Sequence, residues 1–386
     1  MTVYIHHYSI VSPLGYGLEQ TRQNLFSGVS PGLTKTEKYS PGRSLCLGLV
    51  QDSLPDLSDA PLKHRSRNNQ LLLAAFNEIE SKFHELSSGM DKSRIAIVIG
   101  SSTSGISDEE EAFPHLMANH EFPKTFDLEQ RLFCSPANFL ADKLDVSGIV
   151  HGISTACTSS AKAIISGARL LNSGMVDLVI AGGVDTLCKF TVAGFTAIES
   201  VSADRCNPLS VNRSGINIGE GSAVFLMSRQ PASIYLSGWG ESSDGYHISA
   251  PDPSGYGAAI AVNAALNMSA KRVDQIEYIN LHGTATRHND SMESKLVKQL
   301  GFQCPVSSTK SLTGHTLGAA GAIEAAISCL TLSGDGRLPP HIWDGEQDPE
   351  LPTLNIAAKQ ESPPKVVMTN NFAFGGNNTS LVLESA

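Results

Sequence analysis

The 386-residue chain has no C-x-x-C pair, and its seven cysteines, Cys46, Cys134, Cys157, Cys188, Cys206, Cys304 and Cys329, are scattered and odd in number. That spacing suggests neither a disulfide framework nor a zinc site, and it suits a reducing cytoplasm. Basic excess is missing too: the net charge is -10, which argues against general nucleic-acid binding, since phosphate recognition wants a basic surface. No apolar run approaches the ~20 residues of a membrane span, and the N-terminus MTVYIHHYSIVSPLG lacks the charged and apolar regions of a signal peptide. The stretch INIGEGSAVFLM has glycines at Gly219 and Gly221 but not the lysine or spacing of a phosphate loop, and reads as a bend into a strand. No linker, low-complexity tract or repeat is visible. The expectation is an unprocessed cytoplasmic protein without a membrane span, built as one large or two closely packed domains.

What is present centres on HGISTACTSS, His151 to Ser160. From Ala161 the apolar residues Ala161, Ile164, Ile165, Ala168 and Leu171 recur at helical spacing, so a helix begins just after Cys157 and stops near Gly174. A helix N-terminus favours an anion, which would lower the thiol pKa; a buried structural cysteine is the alternative. Strands are expected at Val3–Ile10, Arg94–Gly100 and Asp177–Val184, a helix at Gln70–Phe83, and a solvated acidic loop at SSTSGISDEEEAF. Strand, helix and strand around Cys157 form a βαβ unit, so the fold class is α/β. A change of halves falls near Arg229 to Ser233, giving residues 1–230 and 231–386. In the second half, QIEYINL delivers His282 at a strand end, Lys310 and His315 precede the small-residue helix GAAGAIEAAISCL, and a strand from Lys365 leads into TNNFAFGGNN.

One cysteine with two histidines can be a protease, in which one imidazole acts as base and an Asn or Asp orients it. Two neutral imidazoles can instead each donate an Nε2–H to one oxygen, stabilising the enolate left when a β-carboxylated thioester loses carbon dioxide. The cysteine can meanwhile hold an acyl group. The motifs TACTSS, NLHGTAT, STKSLTGHTLGAAGA and NFAFGGNN resemble, in order, the four motif regions of 3-oxoacyl-(acyl-carrier-protein) synthases I and II, and the likeness runs from SIVSPLG to the last loop.

The resemblance implies a thiolase-like αβαβα sandwich of two similar halves, usually a dimer. It implies that Cys157 is the acyl-accepting nucleophile, that His282 and His315 support decarboxylation, and that Lys310 holds the second of these histidines. Glu324 falls on a buried structural or water-organising glutamate, while Thr284 and Thr286 fall on threonines that bind the phosphopantetheine arm. Phe374 falls on a mobile aromatic gate whose backbone N–H joins that of Cys157 as an oxyanion hole. The arm belongs to an acyl carrier protein, so neither a cofactor nor a metal of the chain's own is implied. Lys63, His64, Arg65 and Arg67, with Lys124 and Arg205 as outliers, are candidates for a patch facing that acidic carrier; a solvated helix face is the alternative. The chain departs from the resemblance in three places. Ala373 stands where glycine is usual, NPLSVNRSG stands where a Pro-Phe-Asp turn is commoner and departs from it at Leu209 and Ser210, and Asn289 precedes Asp290 where glycine is commoner, as in accessory synthases including those of aryl polyene pathways. The presence of Cys157 speaks against a chain-length factor, the last loop lacks a thiolase's second cysteine, and His315 replaces the Asn of an initiating synthase. Elongation by a homodimer, or by a catalytic subunit paired with a chain-length-factor-like partner, is the expected activity.

Overall fold

The computed structural model describes residues 2–358 and 362–386. The principal strands are β1 (Val3–Ser12), β2 (Ile95–Gly100), β3 (Val150–Ile153), β4 (Leu178–Asp185), β5 (Gly221–Ser228), β6 (Ile234–Ser243), β7 (Tyr278–Asn280), β8 (Val306–Ser307), β9 (Val366–Phe372) and β10 (Asn377–Ser385). The first five run in the order β3-β2-β4-β5-β1 and the last five in the order β8-β7-β9-β10-β6, so one topology occurs twice. In each half the pairs among the second, third and fourth strands are parallel and the pairs involving the last strand are antiparallel. A short antiparallel contact joins the halves, Val3–Ile5 of β1 against Ile234–Leu236 of β6.

Period-2 alternation sends each strand's side chains into two different cores. In the first half Ile95, Ile97, Ile99, Leu178 and Ile180 pack with helices α1 (Arg67–Asn77) and α3 (Ser135–Leu144). Their neighbours Ala96, Val179 and Ala181 face the other way, onto helices α4 (Ser159–Asn172) and α8 (Ala320–Leu332). The second half repeats the scheme. Ile279, Met368 and Val382 pack with α6 (Tyr256–Ser269) and α7 (Arg287–Leu300), while Tyr278, Val367 and Leu381 join α4 and α8 in the shared core. Helices outside, two sheets and a helical layer between them make the αβαβα sandwich. At the centre, a Cβ on Gly321 would come within 2.8 Å of Ala161, so α8 approaches α4 more closely there than an alanine would permit.

Two sequence-based expectations need correction. The helix over Gln70–Phe83 is two helices, α1 and Glu80–Leu86, separated at Ile79. The segment SSTSGISDEEEAF is not a solvated loop: Ile106–Asn119 forms helix α2, with Asp108 and Glu109 in its first turn, where the dipole favours negative charge. Its acidic residues also make specific bonds, since Glu110 accepts from the backbone N–H groups of Lys189 and Phe190 at the start of α5 (Lys189–Ala197). No helix among the described residues is long and apolar enough to cross a membrane.

Candidate active site

Cys157 sits on a tight turn between β3 and α4. Ala156 before it takes φ 53°, a left-handed conformation costly for a residue with a Cβ, and Ser159 locks the turn by accepting from Thr155 N–H (2.9 Å) and donating to the Ala156 carbonyl (2.6 Å). The thiol is thereby placed at the N-terminal end of α4 but buried, 5% exposed. Burial pushes it up to about 12, against the opposing effects of the Lys310 charge and of a hydrogen bond from the Phe374 backbone N–H. The expected lowered pKa is therefore corrected: loss of hydration outweighs the Lys310 charge and the Phe374 N–H. Iodoacetamide alkylation of Cys157 should accordingly keep rising about tenfold per pH unit between pH 7 and 9, as the thiolate fraction does. A rate already level at pH 7 would show a preformed thiolate.

His315 Nε2 lies 3.0 Å from Cys157 Sγ, and the rings of His282 and His315 meet nearly edge to face with centroids 5.3 Å apart. Both imidazoles are held well below their usual range, first by burial and then by the Lys310 charge, so both are neutral at pH 7. Their tautomers are controlled differently. Lys310 Nζ donates to His282 Nδ1 at 3.3 Å, which puts the proton of His282 on Nε2. His315 Nδ1 is buried with no partner among the described residues, so either of its nitrogens is free to carry the proton. The expectation that Lys310 serves the second histidine holds for its charge, which acts on His315, and is corrected for its hydrogen bond, which goes to the first. Lys310 also pairs with the buried carboxylate of Glu324, whose other oxygen accepts from Asn371 Nδ2 at 2.5 Å. Burial raises the Glu324 carboxyl in spite of these partners.

The loops that carry these groups hang on carboxylates which sequence reasoning did not assign. Glu293 accepts from the backbone N–H groups of His282 (2.8 Å) and Gly283 (2.7 Å). Asp290 accepts from Ala285 and from Leu209, residues with φ 62° and 65°, so the divergent Asn-Pro-Leu-Ser turn is anchored to the histidine loop. Asp185, fully buried, accepts from Ser101, Ser102, Thr103 and the backbone N–H of Gly318, three residues past His315. The Asp290/Glu293 pair, three apart on α7, was the one available signal.

One cavity gathers Cys157, His282, His315, Thr284, Thr286, Asn289 and Phe374. The Thr284 and Thr286 hydroxyls lie 2.9 Å apart, and the Phe374 ring packs on Phe195 at 5.4 Å between centroids. Buried Ala373 precedes Phe374 in extended conformation, and the left-handed residues are instead Gly375 and Gly376. Ligand atoms of Cys157, His282 and His315 all lie within 4.8 Å of one another, close enough to surround an ion, but the ammonium bonded to His282 disfavours a cation there.

The basic patch does not assemble as one surface. Arg67 turns onto the buried carboxylate of Glu220, donating through Nε at 3.0 Å and Nη2 at 2.5 Å, because a charge fully removed from water needs a partner. Lys63 and His64 share Asp142, and Arg65 Nε donates to the Ala60 carbonyl. Exposed Lys124 does share a surface hollow with Arg65 and Arg67, whereas Arg205 is bonded elsewhere, to the Ser311 carbonyl.

The family described as "Beta-ketoacyl synthase, N-terminal domain" matches residues 62–232, and "Beta-ketoacyl synthase, C-terminal domain" matches residues 234–343. The chain belongs to the beta-ketoacyl synthase family. This synthase is 30% identical to 3-oxoacyl-[acyl-carrier-protein] synthase 2 of Rhizobium meliloti over 97% of its own length and 96% of that protein. In three dimensions it is similar to a chain of the complex of the ketosynthase ApeO with its chain length factor ApeC from Xenorhabdus doucetiae, with TM-score 0.95 and 41% identity over 100% of this chain and 98% of that one. A beta-ketoacyl synthase from Burkholderia phymatum STM815 gives TM-score 0.89 and 25% identity over 100% and 99%. The synthase is thus a condensing enzyme of the acyltransferase type with a thiolase-like fold, related both to fatty-acid synthases and to polyketide-type ketosynthases.

Proposed function

We propose that Cys157, His282, His315 and Lys310 divide two half-reactions between them. The observation that carries this is the asymmetry of the histidines: one lies 3.0 Å from the sulfur, the other is fixed as an Nε2–H donor by Lys310. In the first half-reaction Cys157 attacks an acyl thioester on a carrier protein, its proton passing by way of His315 Nε2 to the carrier sulfur, which leaves as the thiol. Backbone N–H groups of Cys157 and Phe374 receive the developing oxyanion. In the second, a malonyl thioester enters along Thr284 and Thr286, and its C–C bond to the carboxylate breaks. Carbon dioxide departs while His282 Nε2–H stabilises the enolate oxygen. The enolate carbon then attacks the Cys157 thioester, forming the new C–C bond and expelling the cysteine sulfur, which takes up a proton from solvent by way of His315. Glu324 serves as the buried counter-charge of Lys310. The reaction uses no cofactor or metal of the chain's own, and the synthase works in the cytoplasm with a soluble acyl carrier protein, docked near Arg65 and Lys124.

Incubation with an acyl-carrier protein should leave one acyl mass on Cys157, and malonyl-carrier should then release carbon dioxide and 3-oxoacyl-carrier. An adduct on Cys188 or Cys206 would overturn the assignment. The full-length likeness to a chain of the ApeO–ApeC complex, together with the presence of Cys157, favours a second reading of the assembly, in which this synthase is the catalytic subunit of a heterodimer in an accessory polyketide-type pathway rather than a homodimer. Condensation that appears only on co-expression with a related subunit supports the heterodimer, and full activity of the chain alone supports the homodimer.

A further inference from the structure

The irregular segment that follows α8 is strapped to the loop carrying Lys310. Ser307 Oγ donates to the Pro339 carbonyl at 2.7 Å, and the Ser308 N–H donates to His341 Nδ1 at 3.1 Å. From its other nitrogen, Nε2, the same imidazole donates to the Pro208 carbonyl at 3.0 Å. An N–H facing one ring nitrogen and a carbonyl facing the other admit a single form of this side chain, the neutral Nε2–H tautomer. His341 is 7% exposed, and burial lowers it to about 4, so that form is the one present at pH 7.

Both partners of His341 lead back to the His282 loop. Ser308 Oγ donates to the Gly283 carbonyl at 2.6 Å and accepts from the Lys310 N–H at 3.3 Å. Pro208 leads to Leu209, whose N–H shares the carboxylate of Asp290 with the N–H of Ala285. Gly283, Ser308, His341, Leu209, Asp290 and Ala285 therefore close a circuit in which four separate stretches of chain hold one another, and His341 lies outside all four motif stretches. The circuit bears on the reaction at one point. Lys310 Nζ reaches His282 Nδ1 at 3.3 Å, already long for a hydrogen bond, so a small slip of either loop breaks it. The sulfur side of the site is held by other bonds, from the His315 N–H to the Asn217 carbonyl at 2.6 Å and from the Gly318 N–H to Asp185.

We infer that His341 is a positioning residue for decarboxylation: as a two-ended clamp it sets the Lys310 loop against the His282 loop, and thereby the tautomer of His282. The inference rests on the proposed division of the half-reactions and extends it to a residue that touches no substrate.

The test measures the two half-reactions separately, in single turnovers with labelled acyl-carrier and with malonyl-carrier. His341→Leu, which makes neither bond, should lower carbon dioxide release about three- to tenfold, the worth of one neutral hydrogen bond, while Cys157 is acylated at its normal rate. His341→Asn, whose Oδ1 stands where Nδ1 does and can accept from the Ser308 N–H, should restore most of the loss. His341→Gln, with a methylene at that position, should not. A general loosening of the fold would slow both half-reactions together and would not rank Asn above Gln. Equal slowing of both half-reactions, no slowing, or a Gln variant as active as the Asn variant overturns the inference. Should the leucine variant fail to fold, the comparison of Asn with Gln carries the test by itself. An unmodified protein that releases no carbon dioxide would count against the proposed function, whereas an active one whose variants show no such split would count against His341 alone.

Discussion

His282→Ala should cut carbon dioxide release from malonyl-carrier by ~10²–10³, the usual effect of removing one preorganised donor to a developing oxyanion, while Cys157 still becomes acylated at close to its normal rate. His315→Ala should do the reverse to the first step. With the thiol raised to about 12 by burial and His315 Nε2 the ring nitrogen 3.0 Å away, acylation without that imidazole should slow at pH 7 and recover as the pH rises. Labelled acyl-carrier and malonyl-carrier in separate single turnovers distinguish the two. If both variants acylate normally, His315 is a donor like His282 and the division of labour proposed here is wrong. The pH dependence has a definite sign. The folded-state pKa values of both histidines lie well below the ordinary 6.5, so their donor or acceptor state persists as pH falls through 6.5. The unfolded chain takes up protons in that window and the folded site does not, so stability present above pH 6.5 should decline below it.

The second large effect lies in the Lys310–Glu324 pair. Lys310→Met or Glu324→Gln each removes one member of an ion pair whose side chains are 1% and 2% exposed; Lys310→Met strands the carboxylate, Glu324→Gln the ammonium. Such a loss costs about 3–5 kcal/mol, readable as a lowered midpoint of urea unfolding. Replacing both by apolar residues, Lys310→Met with Glu324→Leu, should recover most of that stability, because a well-packed apolar substitute for a buried pair is often neutral. It should not recover decarboxylation, since Nδ1 of His282 then lacks the donor that fixes its tautomer. A double variant that decarboxylates normally would remove Lys310 from the mechanism; one no more stable than the single variants would show that the pair is not the coupling.

Much of the site was legible in the sequence because its reacting groups stand at ends of regular elements. The helical spacing from Ala161 to Leu171 located α4 and hence the position of Cys157, and the apolar run QIEYINL located the strand that presents His282. Residues whose partners are distant in sequence were not legible. Arg67 reads as a surface charge until Glu220, 153 positions away, is seen to need it. The serines and threonine at 101–103 read as loop composition until Asp185 collects them. The thiol pKa was not legible for the same reason: a helix terminus is local and visible in a spacing, whereas the neighbours that close over the sulfur, His315 and the last loop at Phe374, are distant in sequence. The twofold repeat of strand order was reachable only through the family resemblance, because it resides in which strands pair and in no shared residue pattern.

That repeat has a consequence for biosynthesis. When the ribosome has released the first half, α4 has its own sheet on one side but not α8, which follows about 150 residues later, so the apolar face bearing Ala161, Ile164 and Ala168 is uncovered for that interval. A nascent chain in this condition is prone to self-association. The gate is later still: Phe374 and the strand β10 that fixes it lie within the final residues of a 386-residue chain. Cys157, translated long before, therefore spends most of synthesis without the burial that suppresses its ionisation, and it is in the unfinished polypeptide that this cysteine is most open to oxidation.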